Sequence, residues 1–167
     1  GIKPYRLYAD VPDTKEAEIE SFAPEWMWEA CHDHNGIMML HIMLADGITD
    51  PRNQISMMEV HDCFSVTELV TMEDLHISRE GEGWKDVLNG FYDADGQVPC
   101  QIAGGLKCSG HPIGASGLRM LYEMYLQLQG RAGARQLKNP SIGMTHNLGG
   151  APSSNVCSVA IIGAMGA

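Results

Sequence analysis

The chain has 167 residues, with 11 Lys and Arg against 21 Asp and Glu, which gives a formal net charge of -10 at pH 7. Such an acidic surface argues against a nucleic-acid backbone or an anionic membrane as the main partner. Hydrophobic residues make up 44% of the sequence and charged residues 19%, which is typical of a globular chain, and the length predicts one domain over residues 1–167. No apolar run approaches the roughly 20 residues of a membrane span.

The first third of the chain predicts a strand followed by helix. Lys3–Asp10 is rich in aromatic residues and alternates as a short strand does. Glu25–Ala45 predicts one long helix or two shorter ones, which end at Asp46-Gly47. A turn follows at Thr49-Asp50-Pro51.

The middle of the chain predicts a strand, a helix and a surface excursion. Ile55–Asp62 has the apolar character of a buried strand. Ser65 is a candidate cap for a helix from Val66 to about His76, because Ser65 and Glu68 have capping-box spacing. Residues 79–96 are charged and Gly-rich, which indicates a surface excursion.

The last third predicts a helix and a strand pair. The helix covers Ser116–Gln129, after a dense Gly-rich block that we expect to be a loop. Ile142–Thr145 and Asn155–Ile162 predict two antiparallel strands around a Gly-Gly turn. The resulting element order, β, α, β, α, loop, α, β, β, predicts an α/β domain.

Three histidines lie at predicted element ends beside Gly-rich or tightly turning backbone: His61, His111 and His146. Imidazole in such a place suits acid–base or electrophilic chemistry. The helix predicted from Ser116 also directs its positive end toward the His111 loop, which favours a developing oxyanion. A lone histidine beside glycine is ordinarily only a turn residue, so each of these signals is weak by itself.

The cysteines and the remaining polar residues give weaker signals for metal chemistry. No two cysteines have CxxC spacing, and their odd number argues against a secreted disulfide framework; they are Cys31, Cys63, Cys100, Cys108 and Cys157. We therefore expect a reducing, cytoplasmic location. Glu59, His61 and Cys63 alternate as residues on one strand face do, but no fourth ligand has a suggestive spacing, so we expect no metal.

Three blocks, taken together, resemble the C-terminal half of the thiolase superfamily. They are His61-Asp-Cys-Phe64, the segment Gly104-Gly-Leu-Lys-Cys-Ser-Gly-His-Pro-Ile-Gly-Ala-Ser-Gly117, and His146-Asn-Leu-Gly-Gly150. The similarity is strongest to the sterol-carrier-protein type and the archaeal or actinobacterial acetyl-CoA acetyltransferase-like branch. It extends from about Asp50 to Ile162.

The resemblance implies a fold: one half of the thiolase pair, with a five-stranded mixed sheet and helices on both faces. In the whole enzyme, two such halves stack in five layers. The helix after the Gly-rich block would lie in the shared central layer. Without the other half, this helix should expose a large apolar face.

The resemblance also implies acyl transfer, with coenzyme A thioesters as the substrates and no further cofactor. His111 would activate a nucleophilic cysteine, and Cys63 would act as the proton shuttle. His61 replaces the family's water-holding Asn. An oxyanion hole would form from backbone amides of the segment that contains His146, Asn147, Gly149 and Gly150.

Two departures from the family pattern affect the function. The N-terminal half with its nucleophilic cysteine is absent, and none of the five cysteines has the nucleophile's sequence context. We therefore expect this chain to be inactive on its own. We also expect a partner chain or an N-terminal thiolase half to complete it in a homo- or hetero-oligomer. Gln101-Ile102-Ala103 also stands where the family commonly has Asn-Pro-Ser.

Two other functions remain open. The first is a thiolase-like retro-aldolase subunit, a type that works with an OB-fold and zinc-ribbon protein. The second is a non-catalytic half-thiolase that serves as a scaffold or binds acyl-CoA. The presence of both His111 and Cys63 favours the acyltransferase.

Overall fold

A computed structural model describes residues 47–151 and 154–163 of the chain. The strand predicted at Lys3–Asp10 and the helical stretch predicted at Glu25–Ala45 lie outside these residues. What is described is an α/β arrangement, as the element order predicts, and its sheet is mixed, as the resemblance implies.

The sheet has the strands β1 (Met57–Val60), β2 (Ile142–Ala151) and β3 (Ser154–Gly163), in that spatial order. β1 pairs with β2 in parallel, and β2 pairs with β3 antiparallel. The antiparallel pair therefore confirms the prediction from the sequence. The resemblance implies a five-stranded sheet, whereas the sheet in the described residues has three strands.

Five α-helices surround this part of the sheet. They are α1 (Pro51–Gln54), α2 (Ser65–Asp74), α3 (Gly83–Leu88), α4 (Gly105–Ser109) and α5 (Ser116–Leu128), and a 3-10 turn follows at Gly133–Arg135. α2 and α5 confirm two predicted helices. α3 lies in the segment predicted as a surface excursion, and α4 in the block predicted as a loop, so both are corrections.

The core has a larger and a smaller part. The larger part joins strand residues such as Met58 and Met144 to α2 through Met72. The smaller part joins Met57 to Met124 of α5. Gly143 allows α5 to approach the sheet closely, because a Cβ there would overlap Met124 Sδ and lie 2.9 Å from Met57 Cε.

Two local predictions are wrong. The residue before α2 is Phe64, which is extended and provides no side-chain cap, so Ser65 and Glu68 form no capping box. The Gly149-Gly150 pair lies inside β2 opposite Val156 and Asn155, not in a turn. Because glycine has no side chain that could clash with the neighbouring strand, the pairing with β3 continues through both glycines to Ala151.

One face of α5 is exposed and apolar. Leu118, Tyr122 and Tyr125 recur at helical spacing and are 66%, 61% and 41% exposed, and the two tyrosine rings stack with centroids 6.5 Å apart. This is the exposed apolar helix face that the sequence predicts. Within residues 47–151 and 154–163, no helix is both long and apolar enough to cross a bilayer.

Candidate active site

The candidate site lies where β1 ends. Val60, the last residue of β1, pairs with His146 in β2, so the next residue, His61, emerges beside that histidine. The first turn of α5 approaches the same end, because Gly117 lies against the Asn147 side chain: a Cβ on Gly117 would lie 3.1 Å from Asn147 Nδ2. Residues far apart in the sequence thus meet at one end of the sheet.

His61 and His111 are in ring contact. Their centroids are 5.1 Å apart and the planes meet at 61°, an edge-to-face arrangement. His61 is buried and His111 is exposed. The pair therefore joins an interior imidazole to one that solvent or a substrate can reach.

Burial keeps two of the imidazoles uncharged. Burial first, and then the neighbouring His61, lowers the pKa of His146 to about 4. Burial also lowers the pKa of His61, with a further contribution from His111, while Asp62 and Asn147 oppose that change. Near neutral pH the site thus contains neutral imidazoles, which can donate or accept a hydrogen bond.

Three buried polar atoms here have no hydrogen-bond partner among the residues that the structure describes: His61 Nδ1, His146 Nδ1 and Asn147 Oδ1. Buried polar groups are nearly always hydrogen-bonded, so a cluster of unpaired atoms at one end of a sheet is unusual. The two imidazole nitrogens can each donate or accept a hydrogen bond, and the amide oxygen can accept one, with water or a bound molecule as the partner.

Asp62 explains the Gly-Gly step of the Gly-rich block. Both of its carboxylate oxygens accept from the Leu106 backbone N–H at 3.0 Å, which fixes the start of α4. Gly105 has φ +60, and a Cβ there would overlap the Asp62 carboxylate. Only glycine fits, so the short helix α4 depends on a contact across 44 residues of sequence.

Behind the histidines lies a buried ion pair. Glu59 of β1 is 1% exposed, and Arg119 of α5 donates to it through Nη1 at 2.9 Å. The backbone N–H of Ala103 donates to its other oxygen at 3.2 Å. Burial raises the pKa of Glu59, and both donors oppose this. The pair ties α5 and the Gly-rich block to β1.

His111 is held at the start of α5. Its Nδ1 lies 2.7 Å from Oγ of Ser116, which is the first residue of that helix. The sequence motif contains this serine, but no feature of the sequence marks its contact with the histidine. Glu59 and Arg119 were likewise not predicted as a pair, because nothing in the sequence relates two residues so far apart.

The structure brings together four of the seven predicted site residues: His61, His111, His146 and Asn147. Cys63 is exposed beyond the end of β1, and its Sγ lies 3.8 Å from Thr67 Oγ1, at the start of α2. Its proposed role stays a prediction, since its described partner is a hydroxyl group and not an imidazole.

The other two predicted residues, Gly149 and Gly150, continue β2 beyond His146. The predicted oxyanion turn is therefore a strand segment. β1 stops opposite His146, so that edge of β2 has no further strand neighbour in the described part of the chain.

The metal hypothesis for Glu59, His61 and Cys63 does not fit. The strand ends at Val60, before Cys63, and Glu59 turns to Arg119. Among the residues that the structure describes, no three His, Cys, Asp or Glu side chains form a group that could hold a metal ion.

Comparison with known proteins identifies the family of this chain. Residues 49–162 match the family model described as "Thiolase C-terminal domain-like". The chain belongs to this family. The match covers α1 to most of β3 and includes all seven predicted site residues.

Two curated relatives are similar over 58% of this chain. The acetyl-CoA acetyltransferase of Methanothermobacter thermautotrophicus is 46% identical over 96 residues, which are 25% of its own length. Human sterol carrier protein 2 is 42% identical over 97 residues, which are 18% of its length. The chain thus matches a quarter or less of these relatives.

The solved structure of the "Ltp2-ChsH2(DUF35) aldolase" has a similar fold, with a TM-score of 0.59. The identity is 17%, and the superposition covers 77% of this chain and 31% of that one. This likeness supports the fold.

Proposed function

We propose that this chain supplies the histidine centre of a thiolase-type transferase that acts on coenzyme A thioesters. The observation that carries the proposal is the contact of His61 with His111 beside buried, neutral His146. Membership of the thiolase C-terminal domain-like family supports it. So does the similarity to an acetyl-CoA acetyltransferase.

His111 is the proposed base. It is exposed, so its ring is accessible to a reacting thiol. It would take the proton of a cysteine thiol, whose sulfur then attacks the thioester carbonyl and releases coenzyme A thiolate. The proton on His111 passes to that thiolate. Atoms and charge balance, and the acyl group remains on the cysteine.

The neutral imidazoles and the open edge of β2 are the proposed oxyanion groups. His61 and His146 are uncharged near neutral pH and have unpaired nitrogens. Amides of the segment from Asn147 to Gly150 lie where β2 continues past β1. Donors held in place before the reaction stabilise negative charge better than mobile water does. Cys63 remains the proposed proton shuttle in the later carbon–carbon step.

The nucleophile would come from another polypeptide segment, either an N-terminal thiolase half or a partner chain. The apolar face of α5, formed by Leu118, Tyr122 and Tyr125, is the proposed contact surface. Its position supports this assignment, because α5 begins five residues after His111. A segment packed there would lie next to the proposed base.

A thiolase-like retro-aldolase subunit is the second candidate. The observation that favours it is the fold likeness to the solved aldolase structure. The two candidates differ in their need for a thiol: the transferase converts a 3-ketoacyl-coenzyme A and free coenzyme A into acetyl-coenzyme A and a shortened acyl-coenzyme A, whereas the aldolase cleaves a 3-hydroxyacyl-coenzyme A without a thiol. Omission of free coenzyme A from the assay therefore separates them.

The test is the rate of thiolysis of acetoacetyl-coenzyme A by the native assembly that contains this chain. We expect His111→Asn to lower kcat by at least about 100-fold, which is typical for removal of a general base. The matched control is His76→Asn, because His76 is a half-buried histidine at φ +54, a conformation that asparagine tolerates. Equal rates in wild type and His111→Asn would refute the proposal.

A non-catalytic scaffold is the remaining outcome. If the wild-type assembly binds acetoacetyl-coenzyme A without cleaving it, and releases no aldehyde or ketone from a 3-hydroxyacyl-coenzyme A, both catalytic proposals fail. The chain would then be a binding subunit of the same fold.

A further inference from the structure

The hydroxyl group of Ser116 links His111 to the backbone at the start of α5. His111 Nδ1 lies 2.7 Å from Ser116 Oγ, and Oγ donates to the Pro112 carbonyl oxygen at 3.3 Å. Ser116 is 1% exposed, so water does not compete for this hydroxyl group. Its own backbone N–H donates to the same carbonyl at 3.0 Å, which fixes the position of Oγ.

A serine hydroxyl has one proton. If that proton goes to the Pro112 carbonyl, Oγ has only lone pairs to offer His111, so Nδ1 must carry the hydrogen. A neutral imidazole with its hydrogen on Nδ1 has the free lone pair on Nε2. With the serine proton directed to the Pro112 carbonyl, the 2.7 Å contact selects the form of His111 that accepts a proton at Nε2.

We propose that Ser116 is a positioning residue that holds His111 with Nδ1 protonated and Nε2 free to act as the base. The inference rests on the proposed function, because it names the atom that takes the proton. When Nε2 gains a proton from the thiol, the bond from Nδ1–H to Oγ persists and the serine keeps its own proton. No rearrangement is needed during the transfer.

Other contacts around His111 support this assignment. Pro112 follows directly, so the backbone conformation of His111 is restricted. The ring also packs edge to face on His61. Two separate contacts, one at Nδ1 and one on the ring, thus limit its rotation.

The first test is the tautomer of His111 in the wild-type protein labelled with 15N-histidine. The His111 signals are assigned by their loss in His111→Asn. At about pH 8, we expect a protonated Nδ1 and an unprotonated Nε2. A hydrogen on Nε2 would overturn the proposal, because the serine would then donate to Nδ1. This measurement involves no substrate, so it fails or succeeds independently of the proposed function.

The second test compares Ser116→Ala with Ser116→Thr, which keeps a hydroxyl group. In Ser116→Ala we expect a shift toward the Nε2-protonated tautomer and about a tenfold lower kcat with KM unchanged, the size expected for loss of one hydrogen bond. Ser116→Thr should restore both. Ser109→Ala, an exposed serine in the same block, is the control and should change neither. Unchanged tautomer and kcat in Ser116→Ala would contradict the positioning role.

Discussion

Acidification should weaken the fold through His146. The pKa of this histidine in the folded chain is about 4 against an ordinary value of 6.5. Its folded-state pKa is lowered, so its contribution to stability is present above pH 6.5 and is lost as the pH falls toward 4. The physical reason is that the unfolded chain binds a proton in this range, whereas the buried imidazole does not.

The gap between the two pKa values corresponds to about 3 kcal/mol in total, of which about 2 kcal/mol is lost between pH 7 and pH 5. His61 acts in the same direction because its pKa is also lowered, and Glu59 acts in the opposite direction because its pKa is raised. Wild type must therefore be compared with a variant that differs only at His146, because the difference between their pH dependences isolates the contribution of this histidine.

The variant is His146→Gln, which does not titrate. Urea unfolding, followed by circular dichroism at pH 7 and pH 5, gives the free energy of unfolding of both proteins. We expect wild type to lose about 2 kcal/mol more than the variant over this interval. The difference between the two free energies of unfolding at pH 7 reports altered packing. The change in that difference between pH 7 and pH 5 reports the titration of His146. The same pH dependence in both proteins would refute the reasoning.

Two other substitutions test the contacts behind the site, both by urea unfolding. Arg119→Ala should lower the free energy of unfolding by about 3 kcal/mol, because it leaves a carboxylate that is 1% exposed without its partner. The control is Lys85→Ala, which removes a half-exposed ion pair and should change stability little. Equal losses in the two variants would contradict the account. Gly105→Ala should cost at least about 2 kcal/mol more than Gly130→Ala, because both have positive φ but only Gly105 lacks room for a Cβ. Similar losses at the two glycines would show that the lack of room is unimportant.

The sequence predicted the long elements of this fold well. α5 and α2 have enough residues for their pattern to be visible, and β1 is a buried run that is apolar apart from Glu59. α4 escaped prediction because its Gly-rich sequence has low helix propensity, and Asp62 stabilises it from a distant segment. The turn predicted at Gly149-Gly150 was wrong. Such a pair is typical of turns, whereas here the antiparallel pairing with β3 determines the backbone conformation.

The site was predictable where a motif marked it. His61, His111 and His146 each lie in one of the three motifs, and the structure brings them to one end of the sheet. Their burial could not be predicted, although it determines the pKa values of His61 and His146. The Glu59–Arg119 ion pair could not be predicted either, because its residues are 60 positions apart in the sequence and meet only when α5 packs on β1.

The central claim is that this chain provides the base and another segment provides the nucleophile. The most direct measurement is mass spectrometry of the native assembly after brief exposure to acetyl-coenzyme A. The account predicts an acetyl group on a cysteine outside these 167 residues, formed at least about 100-fold more slowly in His111→Asn. An acetyl group on one of the five cysteines of this chain, or unchanged acetylation in His111→Asn, would contradict it.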